Sequence, residues 1–276
     1  MTRVAFQGER GAFSEDAVAA FFPQAEAVPC PDFESVFRAV DRGAVEYGMV
    51  PVENLLEGTV AAVNDLLLEN DLVIVGEVLV PVVHCLIVHP GTGLEDIARV
   101  YSHPQALGQC RSFLAKYPGW EKVPAYDTAG SVRTIRDRGL REEAAIASRR
   151  AAGVYGMEVL REGIQNSGDN FTRFFALQRS SRLLDTGDKT SLIFATRNVP
   201  GALYEAMGSF AGRGINMTKV ESRPRRGRAW EYVFFVDIDG HVNDPRVAEA
   251  LTDLVRKAVF VKVLGSYARA RPLDGQ

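Results

Sequence analysis

The sequence predicts an α/β unit followed by a smaller α+β unit. Three observations carry that reading. Strand and helix signals alternate from residue 1 to about 180, a polar, turn-rich stretch (SSRLLDTGDK) fills 180–189, and the order then changes to βαββαβ within about 80 residues. The 276 residues are 46% hydrophobic and 24% charged, with a net charge of -3. That balance belongs to a globular chain rather than a disordered one, and it argues against a nucleic-acid binder working through bulk positive charge.

Taken in order, residues 3–6 read as a strand, Gly8 and Gly11 as a loop, and Ser14 as the cap of a helix running to Phe22. Glu15 and Asp16 fall in its first turn, where the helix dipole favours acids. A short strand at 26–29, a helix from Asp32 and a strand at 47–52 follow. Residues 58–70 place Val60, Val63 and Leu67 on one helical face. The run LVIVGEVLVPVVHCLIV at 72–88 resembles a membrane span, but it is shorter than the ~20 apolar residues required and contains Gly76, Glu77, Pro81 and His84. It reads as two consecutive buried strands broken at Pro81. A strand at 99–102, a helix from Pro104 to Lys116, a strand at 121–126, a helix after Thr128 and a strand at 144–148 complete the series. Mainly parallel sheets covered on both faces are expected from it.

Beyond 189, residues 190–196 read as a strand and Gly201 to Gly212 as a helix with Leu203, Met207 and Phe210 on one face. Strands are expected at 215–222 and at 229–238, the second with Trp230, Tyr232, Phe234, Val236 and Ile238 on one face, and RPRRGR (223–228) as the turn between them. Asp244 and Pro245 open a helix with Val247, Leu251, Leu254 and Val255 inward, and 259–264 is the last strand. The resulting sheet is expected to carry helices on one face only, leaving the other face or an edge open to a partner. Three cysteines (Cys30, Cys85, Cys110), odd in number and without a C-x-x-C pair, argue against a disulfide framework or a zinc ribbon and fit a reducing cytosol. The N-terminus lacks the apolar core of a signal peptide.

Several motifs carry possible chemistry. FQGERGAFS (6–14) ends at a helix N-terminus, whose free N–H groups suit a carboxylate or phosphate, although an ordinary turn has the same look. In PVENLLEG (51–58), Glu53 and Asn54 sit where a parallel strand ends, the place where α/β sheets bind ligands; a turn that caps the next helix reads equally well. YSHPQALGQC (101–110) holds Ser102, His103, Gln105 and Gln109. Adjacent Ser102 and His103 rarely reach nucleophile–base geometry, and no G-x-S-x-G elbow is present. His84 and His89 lie five apart on a strand pattern and do not converge as metal ligands, so core or hydrogen-bonded roles are expected. In NSGDNFTRFF (166–175), Arg173 enters a strand, where it binds either an anion or a structural carboxylate partner.

Together FQGERGAFS, PVENLLEG, YSHPQALGQC, AAIAS and Asn170 to Phe174 resemble the prephenate dehydratase family in order and spacing, and GAL (201–203) with ESRP (221–224) resembles its ACT regulatory domain. The resemblance covers essentially the whole chain. It departs at Leu55, where the family commonly has Ser. A strand at the very start, with no chorismate-mutase-like segment, suggests the monofunctional form.

The resemblance implies a catalytic domain over 1–180 folded as two α/β lobes like a type II periplasmic binding protein. The chain would cross between lobes near 76–84 and return near 160–175, and an ACT domain would span 189–270. It implies decarboxylating dehydration of prephenate to phenylpyruvate, water and carbon dioxide in L-phenylalanine biosynthesis. The enzyme would be a cytoplasmic carbon–oxygen lyase without cofactor or metal. The catalytic roles fall on Thr172, Glu53, Asn54, Ser102 and Gln109, with Thr172 or Glu53 as proton source. Substrate contacts fall on Gly11, Ser14, Arg173 and Phe174. An L-phenylalanine site would use Gly201, Ala202, Leu203, Asn216, Glu221, Ser222, Arg223 and Pro224 within a homodimer or homotetramer. A chain ending near Ser180 is then expected to keep some turnover and lose inhibition. Arogenate dehydratase and a non-catalytic amino-acid-binding protein are the alternatives; no nucleic-acid or membrane partner is expected.

Overall fold

The computed structural model describes residues 1–179, 185–224 and 232–270. Residues 180–184 of the expected domain boundary, and 225–231 with most of the RPRRGR turn and Trp230, lie outside the described residues. A first lobe is built from β1 (Arg3–Gln7), α1 (Phe13–Phe21), β2 (Glu26–Cys30), α2 (Phe33–Asp41), β3 (Tyr47–Asn54), β4 (Gly58–Thr59), α3 (Ala61–Glu69) and β5 (Val73–Pro81). A second lobe follows with β6 (Cys85–Val88), β7 (Arg99–Ser102), α4 (Pro104–Gln109), α5 (Arg111–Leu114), β8 (Glu121–Pro124), α6 (Thr128–Arg138), β9 (Glu143–Ala147), α7 (Arg149–Tyr155) and β10 (Glu158–Glu162). The chain then returns through β11 (Phe171–Gln178) and ends in β12 (Lys189–Ala195), α8 (Ala202–Ala211), β13 (Met217–Pro224), β14 (Tyr232–Asp239), α9 (Pro245–Lys257) and β15 (Phe260–Tyr267).

The two lobes repeat one topology that the sequence does not display. Their sheets run β2-β1-β3-β11-β5 and β8-β7-β9-β6-β10. In each, a second, first and third strand lie side by side, then a strand delivered from the other lobe, then the fourth. The first three are parallel. The visiting strand is antiparallel to both neighbours, so four of the five strands on each path run the same way and one runs against them, an addition to the expected mainly parallel sheets. Pro81 cannot extend the ladder as a donor, and 82–84 carry the chain across. The return passes beside this crossing: Val82 N–H donates to the Asn170 carbonyl at 2.7 Å and Ile164 N–H to the His84 carbonyl at 3.2 Å. This double crossing is the type II periplasmic-binding-protein arrangement.

Local chemistry corrects two helix readings. Ser14 is not a cap: α1 starts at Phe13, its N-cap is Ala12 with no side-chain bond, and Ser14 is buried. The helix expected over 104–116 breaks at Cys110. Asn166 breaks it, because its N–H takes the Gln109 carbonyl at 2.7 Å and its side chain engages Gly108 and Ser112. The elements α7 and β10 had no counterpart in the sequence reading.

Four apolar layers hold the molecule together. One joins the two lobes, with Phe6, Met49, Val78 and Phe174 meeting Ile87, Ile135 and Ala151. Gly11 makes that approach possible: a Cβ there would lie 2.6 Å from Ala151 Cα, and its φ of +87° is left-handed. A second layer packs β7 and β9 against α4 and α5. The βαββαβ unit has sheet order β13-β14-β12-β15, with α8 and α9 on Phe194, Phe234 and Ile238. Its other face is not open to a partner, which corrects one half of that expectation; β13 remains an edge. Ile193, Val233, Phe235, Leu264 and Tyr267 pack on Val36, Phe37 and Leu67 of the first lobe. Removing this unit would bare that side of the lobe, so a chain cut near 180 is no longer expected to fold as an independent enzyme. Val255, expected inward, is 60% exposed; Ala250 takes its place in the core.

Candidate active site

The site begins with one register. Strands β3 and β11 pair antiparallel with Thr172 opposite Asn54 and Arg173 opposite Glu53. Successive strand residues face opposite sides of a sheet. Asn54 and Thr172 therefore share the face toward the second lobe, and Glu53 and Arg173 share the reverse. The front face lines an inter-lobe cleft with two adjoining parts. One, of about 460 Å3, is lined by Gln7, Phe13, His84, Asp127, Thr128 and Thr172 among others. The other, of about 770 Å3, is lined by Glu57, Thr59, Gln165, Asn166 and Asn170 among others. Asn54, His103, Gln105 and Gln109 border both.

Asn54 sets the polarity of the front face. Its Oδ1 accepts from Leu56 and Glu57 N–H, both at 3.0 Å, so its Nδ2 is left to donate. That amide donates to Thr172 Oγ1 at 2.9 Å and to Asn170 Oδ1 at 2.8 Å. With its oxygen already accepting, the Thr172 hydroxyl has its own proton available toward the cleft. From the other lobe, Gln109 Nε2 donates to Glu57 Oε1 at 3.1 Å, and Gln109 Oε1 lies 2.8 Å from His84 Nε2 and 3.4 Å from Asn170 Nδ2. Burial pushes His84 below the ordinary histidine value of 6.5, with the Gln109 bond opposing it, so the ring is neutral at pH 7. The charged side chains on the cleft wall are Glu57 and Asp127, with no lysine or arginine among the described lining residues. Burial raises the Asp127 carboxyl, and the Gly130 N–H it caps offsets this only partly. The nearby thiols are no nucleophiles, because burial pushes Cys85 up to about 11 and Cys110 up to about 12. Among the described residues no group of three or more His, Cys, Asp or Glu is placed to hold a metal, and no helix is long and apolar enough to cross a membrane.

Of the residues expected in catalysis or substrate binding, Thr172, Asn54 and Gln109 meet at the cleft, and six do not. Glu53 points to the rear, with Lys219 Nζ at 3.2 Å and Arg173 at 3.7 Å. Arg173 sits behind the sheet for the same parity reason, and Phe174 is a core side chain. Ser102 is fully buried, and its hydroxyl donates to the Ile146 carbonyl at 2.6 Å. Gly11 N–H is taken by the Glu15 carboxylate, so that helix end already carries an anion. Ser14 borders neither part of the cleft. The motif reading passed over Asp127 and Thr128, which follow the carboxyl end of β8; the rule that α/β sheets bind ligands there would have found them.

The rear face is an ion network shared with the C-terminal unit. Arg173 donates to Glu77 at 2.6 Å, to Asp237 at 2.6 Å and to Tyr267 Oη at 3.2 Å. Lys189 reaches both carboxylates, at 3.1 and 3.7 Å. Two cations and two anions thus balance, every side chain no more than 10% exposed. Burial alone would raise Asp237; Arg173, Lys189 and Ser191 outweigh it and hold the carboxyl below its ordinary value. Burial, with Asp237 and Glu77 beside it, lifts Tyr267 well above 10.

In the C-terminal unit, Gly201 (φ +85°) caps α8, with Ala202 and Leu203 in its first turn. Asn216 Nδ2 donates to Asp239 at 3.2 Å. Within one chain Glu221 and Arg223 face the first lobe. Glu221 accepts from Thr59 Oγ1 at 2.6 Å, and Arg223 donates to the Ala61 carbonyl at 2.5 Å and pairs with Asp65 at 3.4 Å. Ser222 and Pro224, by alternation, lie on the exposed side of β13.

The chain matches the family model described as prephenate dehydratase over residues 4–182 and the one described as ACT domain over 190–256. It is 42% identical to arogenate dehydratase/prephenate dehydratase 2, chloroplastic, of Arabidopsis thaliana, with 96% of this chain and 72% of that protein covered. Among solved structures it is similar to the prephenate dehydratase of Arthrobacter aurescens in complex with L-Phe, at 36% identity and TM-score 0.90, over 97% of this chain and 90% of that one. It is also similar to GqqA, described as a novel type of quorum quenching acylase, at 37% identity and TM-score 0.90, over 99% of this chain and 100% of that one.

Proposed function

The chain belongs to the prephenate dehydratase family, and we propose that it converts prephenate to phenylpyruvate, carbon dioxide and water under inhibition by L-phenylalanine through its ACT domain. In this reaction the C–CO2 bond breaks and its electron pair enters the ring. The ring C–O bond then breaks, and the departing oxygen leaves as water with a proton supplied by solvent, a hydroxyl in the cleft donating a hydrogen bond to it as charge builds. The reaction therefore needs a donor aimed at that oxygen. The observation that carries the reading is the Thr172 hydroxyl on the cleft wall, whose oxygen accepts from Asn54 Nδ2 and so leaves the hydroxyl to donate. A donor held in place before charge develops lowers the barrier without reorganising. Gln109 and Asn170 line the same cleft and can hold the substrate's carboxylate and ketone oxygens.

Arogenate, with an ammonium in place of the ketone, is the second reading, and one observation favours it. The charged groups on the cleft wall are the carboxyls of Glu57 and Asp127, and an ammonium gains from either. Parallel measurement of kcat/KM for prephenate and arogenate decides between the two, and failure to turn over either removes both. A run with an N-acyl substrate tests the acylase description of the GqqA relative. Among the described residues none favours it, since Ser102 is buried with its proton committed and both buried thiols are pushed up.

We place the protein in the cytosol, where its three free thiols persist. We also propose pairing of two copies along the edge strand β13, where Val220 is 45% exposed and Tyr232, at the start of the neighbouring β14, is 44% exposed. Sedimentation with and without L-phenylalanine checks the pairing; a monomer at micromolar concentration, unchanged by the amino acid, would rule it out. Glu53→Gln is expected to leave kcat within a few-fold, because its carboxylate faces Lys219. A hundredfold loss would return Glu53 to the chemistry.

A further inference from the structure

We infer that His84 is a positioning residue: protonated at Nε2, it donates to Gln109 Oε1, the atom on which the Asn170 amide also converges, and so holds Gln109 and Asn170 in place beside the Asn54–Thr172 pair. The inference rests on the dehydratase reading above. The direction of these hydrogen bonds follows from two backbone groups. Leu56 and Glu57 N–H can only donate, so the Asn54 atom they meet is Oδ1 and its other end is the NH2. That NH2 meets an oxygen of Asn170, so the far end of Asn170 is also an NH2, and it faces Gln109. The Gln109 atom there is therefore Oε1, an acceptor, and the His84 nitrogen 2.8 Å from it must carry the proton. Burial agrees, since His84 Nδ1 is buried without a partner, and an unpaired buried N–H costs more than an idle lone pair.

His84 is well placed for this task. It lies on the 82–84 crossing, which joins the two lobes. Its backbone N–H donates to Gln165 Oε1 at 3.0 Å, its carbonyl accepts from Ile164, and its ring meets the Phe13 ring edge-on at 5.6 Å. The ring is thus held by both crossings and one cleft wall. Only the Nε2–H tautomer lets Gln109 keep its oxygen toward His84 and its NH2 toward Glu57 and the cleft. Without that donor, Gln109 Oε1 keeps only the 3.4 Å bond from Asn170, and both amides are held less firmly beside the Asn54–Thr172 pair.

The test uses the full-length chain. Nitrogen-15 NMR of the imidazole is expected to show His84 neutral with its proton on Nε2, and in Gln109→Leu a mixture of tautomers; a proton on Nδ1 in the wild type overturns the inference. In turnover of prephenate or arogenate, His84→Leu is expected to lower kcat by roughly 10–100-fold with little change in KM, the scale of a small misplacement in a preorganised site. His84→Gln, whose amide nitrogen falls near the position of Nε2, should recover most of that loss. The His84→Leu/Gln109→Leu double variant should be no slower than the slower single. Wild-type kcat in folded His84→Leu, or equal losses in His84→Leu and His84→Gln with additive effects, refutes it. If His84→Leu does not fold, the tautomer and the His84→Gln kinetics decide. A wild-type chain that turns over neither substrate defeats the dehydratase reading instead, and the tautomer then judges the His84–Gln109 bond by itself.

Discussion

Thr172→Ala is expected to lower kcat by about 10²–10³-fold, the cost of removing one preorganised donor, or about 2.7–4 kcal/mol. KM should move little, because the hydroxyl serves the departing oxygen most when charge builds on it. Thr172→Ser keeps the donor and should retain much of the rate. The variants should fold, since Thr172 lies on a fully paired strand whose ladder does not need the side chain. Asn54→Asp sharpens the test. Its carboxylate would accept the Thr172 proton instead of donating to the oxygen, reversing the hydroxyl, so a loss similar to that of Thr172→Ala is expected. Near-normal kcat in folded Thr172→Ala would remove the hydroxyl from the reaction and leave the cleft as a binding site.

The positions of Thr172, Asn54 and Gln109 were legible because motifs in sequence order placed them, and the double crossing brought them to one cleft. Glu53 and Arg173 were misplaced for one shared reason. The strand at 47–52 was expected to end before Glu53, which left Glu53 and Asn54 in a loop where neighbours can point the same way. In the structure β3 continues through Asn54, and alternation sends Glu53 to the rear. The cover on the ACT sheet was legible in principle. In YVFFV (232–236), Val233 and Phe235 are as apolar as Phe234 and Val236, the pattern of a strand buried on both faces. The His84–Gln109–Asn170 contacts were not, because they span 25 and 61 residues of sequence, and no local period records such a contact.

Arg173→Met is expected to destabilise the protein by about 3–5 kcal/mol, the cost of breaking a buried ion network by removing one partner. The guanidinium faces Glu77 and Asp237, and its loss leaves two buried carboxylates with Lys189 as their one cation among the described residues. At roughly 2–4 °C per kcal/mol for a chain of this size, the unfolding midpoint should fall by on the order of 10 °C. The pH dependence carries the sign. In the wild type Asp237 lies below its ordinary value, so its pairing stabilises the fold above the unfolded carboxyl value and is lost as pH falls through the folded one. In the variant, burial is opposed by less positive charge and the carboxyl rises. The folded state then takes up a proton before the unfolded state does, and the deficit against wild type should shrink as the medium is acidified toward the carboxylate range. A packing loss would give a deficit that does not change with pH. If Arg173 instead held a substrate carboxylate, the variant would show a raised KM at an unchanged unfolding midpoint. That result would place the guanidinium on the cleft side of β11, contrary to its register with Glu53.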